Sequence, residues 1–217
     1  MTRIAHDDTS SVAWRVTEAE LRARLYGLTQ AADTDEDGDD TRDLSPPPYV
    51  AAAVLVPFVL GLTPGVLLTK RASHLNKHAG QVSFPGGRID PTDESPEAAA
   101  LREAEEEIGL DPMRVELAGR LPDYVTGTGY LITPVLGLLS PGVALDGLGL
   151  AASPDEVEEM FELPLAVLMD PEAPLRKTRM WRGRMRSYWE WPHPEHHIWG
   201  ATAAILVGLA GRLRASG

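Results

Sequence analysis

The spacing of hydrophobic and polar positions changes several times along the chain, and each change marks an element. Over residues 17–30, TEAELRARLYGLTQ, apolar residues recur at helical spacing, with Leu21, Leu25 and Leu28 on one face. Thr17 and Glu20 make a capping box at the start of that helix. The pattern vanishes across AADTDEDGDDTRDLSPPP, residues 31–48. Residues 51–60, AAAVLVPFVL, and 66–69 are apolar runs that predict buried strands joined by the turn GLTPG. Residues 82–84 predict a short strand that leads into PGG, and residues 95–108 carry the strongest helical signal. Strands are predicted at 114–121, 131–139 and 157–163, a Gly-rich loop at 141–154, and a short helix at 164–169. Residues 177–191 alternate basic with aromatic or apolar positions, as a hairpin turning near Arg182-Gly183 would. Residues 198–213 read as a helix, with Ile198, Ala201, Ile205 and Leu209 on one stripe.

These elements follow no regular βαβ rhythm, which predicts an α+β fold or mixed-sheet sandwich and not a doubly wound sheet. The expected division is a helical segment at 1–30, an acidic Pro-rich linker at 31–48, and a main domain at 49–217. The linker holds seven acids against one arginine and supplies half of the net charge of −12. A solvated linker and an acidic binding tail both suit that composition. The overall negative charge argues against a broad nucleic-acid-binding surface. It leaves room for a phosphorylated small molecule met by local basic residues or metal ions. The absence of cysteine excludes disulfides, thiolate metal sites and a cysteine nucleophile, and it suits a reducing compartment. MTRIAHDDTS lacks the apolar core of a signal peptide. The longest apolar run, residues 198–210, falls short of the ~20 residues that span a bilayer. The expected location is therefore cytoplasmic, with no membrane association.

Charge is oddly placed in the 95–108 helix. Ser95 suits the N-cap, Pro96 the first helical position, and Glu97 the positive end of the dipole. Gly109 suits a left-handed C′ position, with Leu110 supplying the apolar contact beyond it. Glu103, Glu105, Glu106 and Glu107 thus crowd the negative end, where cations are favoured. Glu103, Glu106 and Glu107 share one side at i, i+3, i+4 spacing, and Arg102 alone cannot neutralise them. A solvated acidic face is one reading. Ligation of a hard cation such as Mg²⁺ or Mn²⁺ is the other, since only oxygen donors are offered.

Residues 87–110, running from Gly87 through REAEEEIGL, resemble the Nudix box. Arg102, Glu103, Glu106, Glu107 and Gly109 match it, and Glu94 lies eight residues before Arg102. Six residues, and not five, separate Gly87 from Glu94, so either the loop has an insertion or Asp93 takes part of the role. The resemblance implies a Nudix-type α/β/α sandwich with a mixed sheet and a hydrolase that splits a phosphoanhydride. It implies that Glu103, Glu106, Glu107 and the Gly87 carbonyl hold Mg²⁺ or Mn²⁺. Glu94 and Arg102 would form a supporting salt bridge, and Glu106 would act as catalytic base. Glu156, Glu158 and Glu159 are reserve candidates for the base or an extra ligand, against a plain polar strand edge.

A second stretch, LLTKRASHLNKHAGQVSFPGG at 67–87, resembles the coenzyme A pyrophosphatase branch of that family. Leu67, Leu68, Thr69, Arg71, Gly80, Phe84, Pro85, Gly86 and Gly87 match; Asn76 stands where that branch commonly has arginine, with Lys77 beside it. Arg71, His74, Lys77 and His78 would contact substrate phosphate, against a plain basic surface loop. The products would be 3′,5′-ADP and a 4′-phosphopantetheine compound. Alternatives are a general Nudix pyrophosphatase acting on ADP-ribose, NADH or a nucleoside triphosphate, and a non-catalytic nucleotide-binding regulatory module. The expected partner is a small nucleotide, coenzyme A first; a homodimer is one permitted assembly. His193, His196 and His197 are read as packing or capping groups, not as a metal site. The segment WRGRMRSYWEW is either an amphipathic strand pair or an adenine-stacking surface.

Overall fold

The computed structural model describes residues 17–28, 47–60, 64–139, 147–181 and 183–216. Its spine is the first apolar run, which forms β1 (Val50–Val59). Around β1 the described residues build an eight-stranded mixed sheet. β2 (Gly65–Arg71) runs antiparallel to β1, and β7 (Tyr130–Leu139) runs parallel to it from Val50↔Tyr130 to Phe58↔Leu138. β3 (Val82–Ser83) and β8 (Val157–Pro164) flank β2. β5 (Val115–Arg120) and β6 (Tyr124–Val125) pair with β7. β4 (Gly86–Arg88) pairs with the start of β1.

The apolar runs are continuous because both faces of this sheet are covered. Ala53 and Leu55 of β1 pack on one side with Ala99, Ala100, Ala104 and Ile108 of α2 (Pro96–Ile108). Val56 and Phe58 point to the other side, where α1 (Glu18–Leu28), α3 (Leu165–Leu168) and α4 (Ala201–Ala215) lie. Helices on both faces of a mixed sheet make the α/β/α sandwich. Leu21, Leu25 and Leu28 of α1 enter the same core as α4, and the Thr17–Glu20 capping box closes with reciprocal bonds of 2.8 and 3.2 Å.

A second, three-stranded sheet consists of β9 (Leu175–Trp181), β10 (Arg184–Trp191) and β11 (Ile198–Trp199). β11 corrects the sequence reading of 198–213 as one helix. Ile198 pairs with Trp191, and the helix begins only after Gly200, whose φ of 64° turns the chain. β6 and the 3₁₀ turn Pro112–Arg114 were also not foreseen. Residues 1–16, nearly all of the 31–48 linker, residues 61–63 of the first turn, residues 141–146 and Arg182 lie outside the described residues. Among the described residues no helix is long and apolar enough to cross a membrane.

Candidate active site

The glutamate helix is held at both ends as its sequence requires. The Ser95 hydroxyl accepts the Ala98 N–H at 3.2 Å. Gly109 is left-handed at φ 65°, and Leu110 is buried beyond it. The loop before β8 completes the C-terminal cap. Ala151 N–H donates to the Ile108 carbonyl, and Ser153 N–H to that of Glu107, at 3.0 and 2.8 Å. One set of backbone bonds therefore fixes α2 and delivers Glu156, three residues on.

The acidic side chains have distinct surroundings. Glu107 is only 2% exposed. Its carboxylate accepts the Gly86 N–H at 3.2 Å and faces the Arg71 guanidinium at 3.4 Å. Burial dominates these contacts and pushes its pKa up to about 7. Glu103 is half-buried and is likewise raised, first by burial. It lies directly on Gly87, where a β-carbon would stand inside the Glu103 carboxylate, so a side chain there would displace that carboxylate from the loop. Gly86 is also constrained, because a β-carbon there would strike the Ala53 carbonyl oxygen, and its φ is 154°. Glu106 is exposed and accepts a bond of 3.1 Å from Arg102. Glu105 is exposed, as expected for the residue off the shared side.

Arg102 ties the helix to the preceding loop, but through a different acid than the sequence spacing suggested. Its Nε and Nη2 donate to the two oxygens of Asp93, both at 3.0 Å, while Glu94 is exposed. The extra loop residue is the physical reason. Asp93, separated from Gly87 by five residues, turns inward and also accepts the Asp90 N–H at 2.8 Å. The Arg102 guanidinium in turn holds Asp93 below the usual carboxylate range.

The reserve candidates separate. Glu156 lies close enough to raise the pKa of both Glu103 and Glu107 by repulsion. Glu158 pairs with Lys70 at 2.7 Å, and Glu159 lies 3.6 Å from His196. Among the described residues no three His, Asp or Glu side chains close into a ready-made cage. The donor chemistry nevertheless fits a hard divalent cation. Three carboxylates and the Gly87 carbonyl offer only oxygen, and their charge is in excess of Arg71 and Arg102. Glu103, Glu106, Glu107 and Gly87 are the groups that could hold such an ion, with Glu156 in reach.

Of the basic loop, Arg71 and His78 line a cavity of about 350 Å³ beside these carboxylates. His74 and Lys77 are exposed on the loop and do not line it. The cavity's other wall is the second sheet, including Arg179, Trp181, Arg186 and Trp199; Trp181 and Arg186 belong to the segment read as a strand pair or an adenine-stacking surface, while Arg179 and Trp199 were not among the candidates. His193 caps its own turn, accepting the Glu195 and His196 N–H groups at 3.2 and 3.1 Å, and His196 stacks on Phe161 at 3.7 Å.

The NUDIX domain family model matches residues 49–183. The chain is 47% identical over 161 residues to the uncharacterized Nudix hydrolase NudL of Escherichia coli strain K12, covering 73% of this chain and 80% of that protein. NudL of Shigella boydii matches at the same identity and coverage. Among solved structures, the NUDIX domain of Shewanella oneidensis NrtR complexed with ADP ribose aligns with a TM-score of 0.47 and 19% identity, over 92% of this chain and 98% of that one. A MutT/nudix family protein from Enterococcus faecalis aligns at 0.47 and 18%, over 93% and 76%. The chain belongs to the Nudix family and is a pyrophosphatase-type hydrolase. Hydrolases of this family generally use a divalent metal.

Proposed function

We propose that this enzyme hydrolyses the diphosphate of coenzyme A or its derivatives, giving 3′,5′-ADP and a 4′-phosphopantetheine compound. One observation carries the reading. The stretch 67–87 that resembles the coenzyme A branch forms the seam between the two halves of the site. Its Arg71 reaches Glu107 and lines the cavity at once. A diphosphate at that seam would meet the carboxylate helix on one side and leave its substituent in the cavity on the other.

Glu103, Glu106, Glu107 and the Gly87 carbonyl hold the divalent cation in this reading. When bound, the ion supplies charge neutralisation of the diphosphate and a more acidic water. Arg71 orients a phosphate oxygen. Glu106, the most accessible of the three glutamates, takes the proton of the attacking water, and Arg102 with Asp93 keeps the helix in register with the loop. Glu156 is the alternative proton acceptor because it faces Glu103 and Glu107. One phosphoanhydride P–O bond breaks, one P–O bond forms from water, and each product leaves with a terminal phosphate.

Incubation with coenzyme A and Mn²⁺, with products resolved, tests the substrate. Cleavage of ADP-ribose or a nucleoside triphosphate without cleavage of coenzyme A would overturn it. Glu107→Gln and Glu106→Gln are each expected to lower kcat by about 10²-fold or more. If Glu156→Gln lowers kcat that far and Glu106→Gln does not, the base is Glu156.

A further inference from the structure

The cavity beside the glutamates has a composition opposed to that of the chain. In a protein of net charge −12, its described lining includes Arg71, Arg179 and Arg186 and no aspartate or glutamate. Its volume of about 350 Å³ suits a small-molecule site, which typically measures ~300–1,000 Å³. Arg186 is only 8% exposed. In the hairpin register it stands directly opposite Arg179. Like charges facing each other across a strand pair are destabilising, so the pairing itself costs the hairpin stability.

The aromatic groups are arranged around the same two arginines. The Arg179 guanidinium lies 5.5 Å from the Trp181 ring centre and 5.8 Å from that of Trp199. These contacts orient the cation and keep two indoles at the cavity wall. Tyr188 joins them from β10. The start of α4 borders the cavity through Ala201 and Thr202, and its cap residue Gly200 contributes no side-chain hydrogen bond to the first turn. The positive end of a 15-residue helix thus adds to the arginine field. Planar rings, paired guanidinium groups and a helix N-terminus together select a flat aromatic ligand that carries negative charge.

We propose that this cavity binds the nucleoside end of the substrate, as a purine whose ribose bears a phosphate separate from the diphosphate. The base stacks on Trp181 and Trp199. Arg179 and Arg186 hold the additional phosphate, and Arg71 receives the diphosphate where it passes to the glutamates. The assignment rests on the coenzyme A reading for the identity of that nucleoside. It moves recognition of the extra phosphate from the exposed His74 and Lys77 to the second sheet. The family match ends at residue 183, so Arg186, Tyr188 and Trp199 come from beyond it. Arg179 and Trp181 lie inside the match, and selection of the nucleotide then lies in the second sheet, apart from the carboxylate helix, consistent with one fold serving many substrates.

Adenosine 3′,5′-bisphosphate and adenosine 5′-monophosphate distinguish the assignment, because neither contains a bond for the enzyme to cut. Binding is measured in EDTA by calorimetry and by tryptophan fluorescence. The bisphosphate should bind wild-type protein about tenfold more tightly than the monophosphate, the increment of a charge-assisted contact. Arg179→Ala, an exposed position, should abolish that difference, while Trp181→Ala should weaken both ligands. Equal affinity for the two nucleotides, or unchanged binding by both folded variants, overturns the proposal. The same variants are assayed with coenzyme A, where Arg179→Ala should raise KM about tenfold and lower kcat by less. Turnover with an unchanged KM in Arg179→Ala would overturn the cavity assignment and leave the proposed function standing. Binding as expected without any coenzyme A cleavage would support the cavity and sink the substrate reading.

Discussion

Glu107 concentrates the electrostatic problem of the site into one side chain. Its buried carboxylate faces Arg71, but also Glu103 and Glu156, and burial dominates the balance. The folded-state pKa of about 7 lies above the ordinary value of 4.5, so between those pH values the folded protein retains a proton that the unfolded chain has released. Metal-free stability therefore falls as pH rises through that window, and Glu107 contributes a cost on the order of 3 kcal/mol above it. Asp93 has the opposite sign: its pKa is lowered, so its contribution is lost only as pH falls below the ordinary carboxylate range. In EDTA, Glu107→Gln should melt near the wild-type midpoint at pH 4.5 and several degrees above it at pH 8. Mn²⁺ should raise the wild-type midpoint more at pH 8 than at pH 5, because the cation replaces the proton. A pH-independent gap between variant and wild type would show that Glu107 is not the strained charge.

At the scale of elements, the β4–α2 unit is one loop and one helix fastened by Arg102. The bidentate Asp93–Arg102 pair joins the loop to the helix, with Asp93 only 7% exposed. Asp93→Asn weakens both guanidinium contacts and should lower the thermal midpoint by a few degrees. Glu94→Gln should shift it by less than about a degree, as expected of an exposed position. Equal effects would return the role to Glu94. The helix itself was legible in advance, since Ser95, Pro96, Gly109 and Leu110 are local signals that act within one turn. The three glutamates followed from the 3.6-residue period. The partner of Arg102 did not, because one extra loop residue changes which acid turns inward and spacing alone leaves the choice open. Arg179 and Arg186 escaped for a related reason. Alternation predicted the hairpin, but only its register places the two guanidinium groups opposite each other, and only the packing of β11 and α4 closes a cavity over them. The start of α4 was misread because Ile198 fits a helical stripe and a strand pair equally well, and Gly200 decides between them.

Across the whole molecule, the sheet separates two tasks. The face under α2 carries the carboxylates, and the opposite face carries α1, α4 and the second sheet. α1 is remote from the glutamates yet packed into the core that supports the cavity. Leu25 is fully buried there, Arg24 Nη1 donates to the Leu213 carbonyl of α4 at 3.1 Å, and Arg22 and Tyr26 bind Glu116 on β5. A helix of only 11 residues is marginal in isolation, so its order depends on these contacts. Leu25→Ala removes buried volume between α1 and α4 and should destabilise the protein by about 2–4 kcal/mol, measured as a lower denaturant midpoint at unchanged slope. α4 begins at the cavity and not at the glutamates, so the folded variant should lose substrate affinity before it loses rate. KM for coenzyme A is expected to rise with kcat near wild type at temperatures well below the transition. If Leu25→Ala unfolds at the wild-type midpoint, α1 is an appendage and the core is complete without it. If kcat falls while KM holds, the two faces are coupled through the sheet and the division of tasks fails.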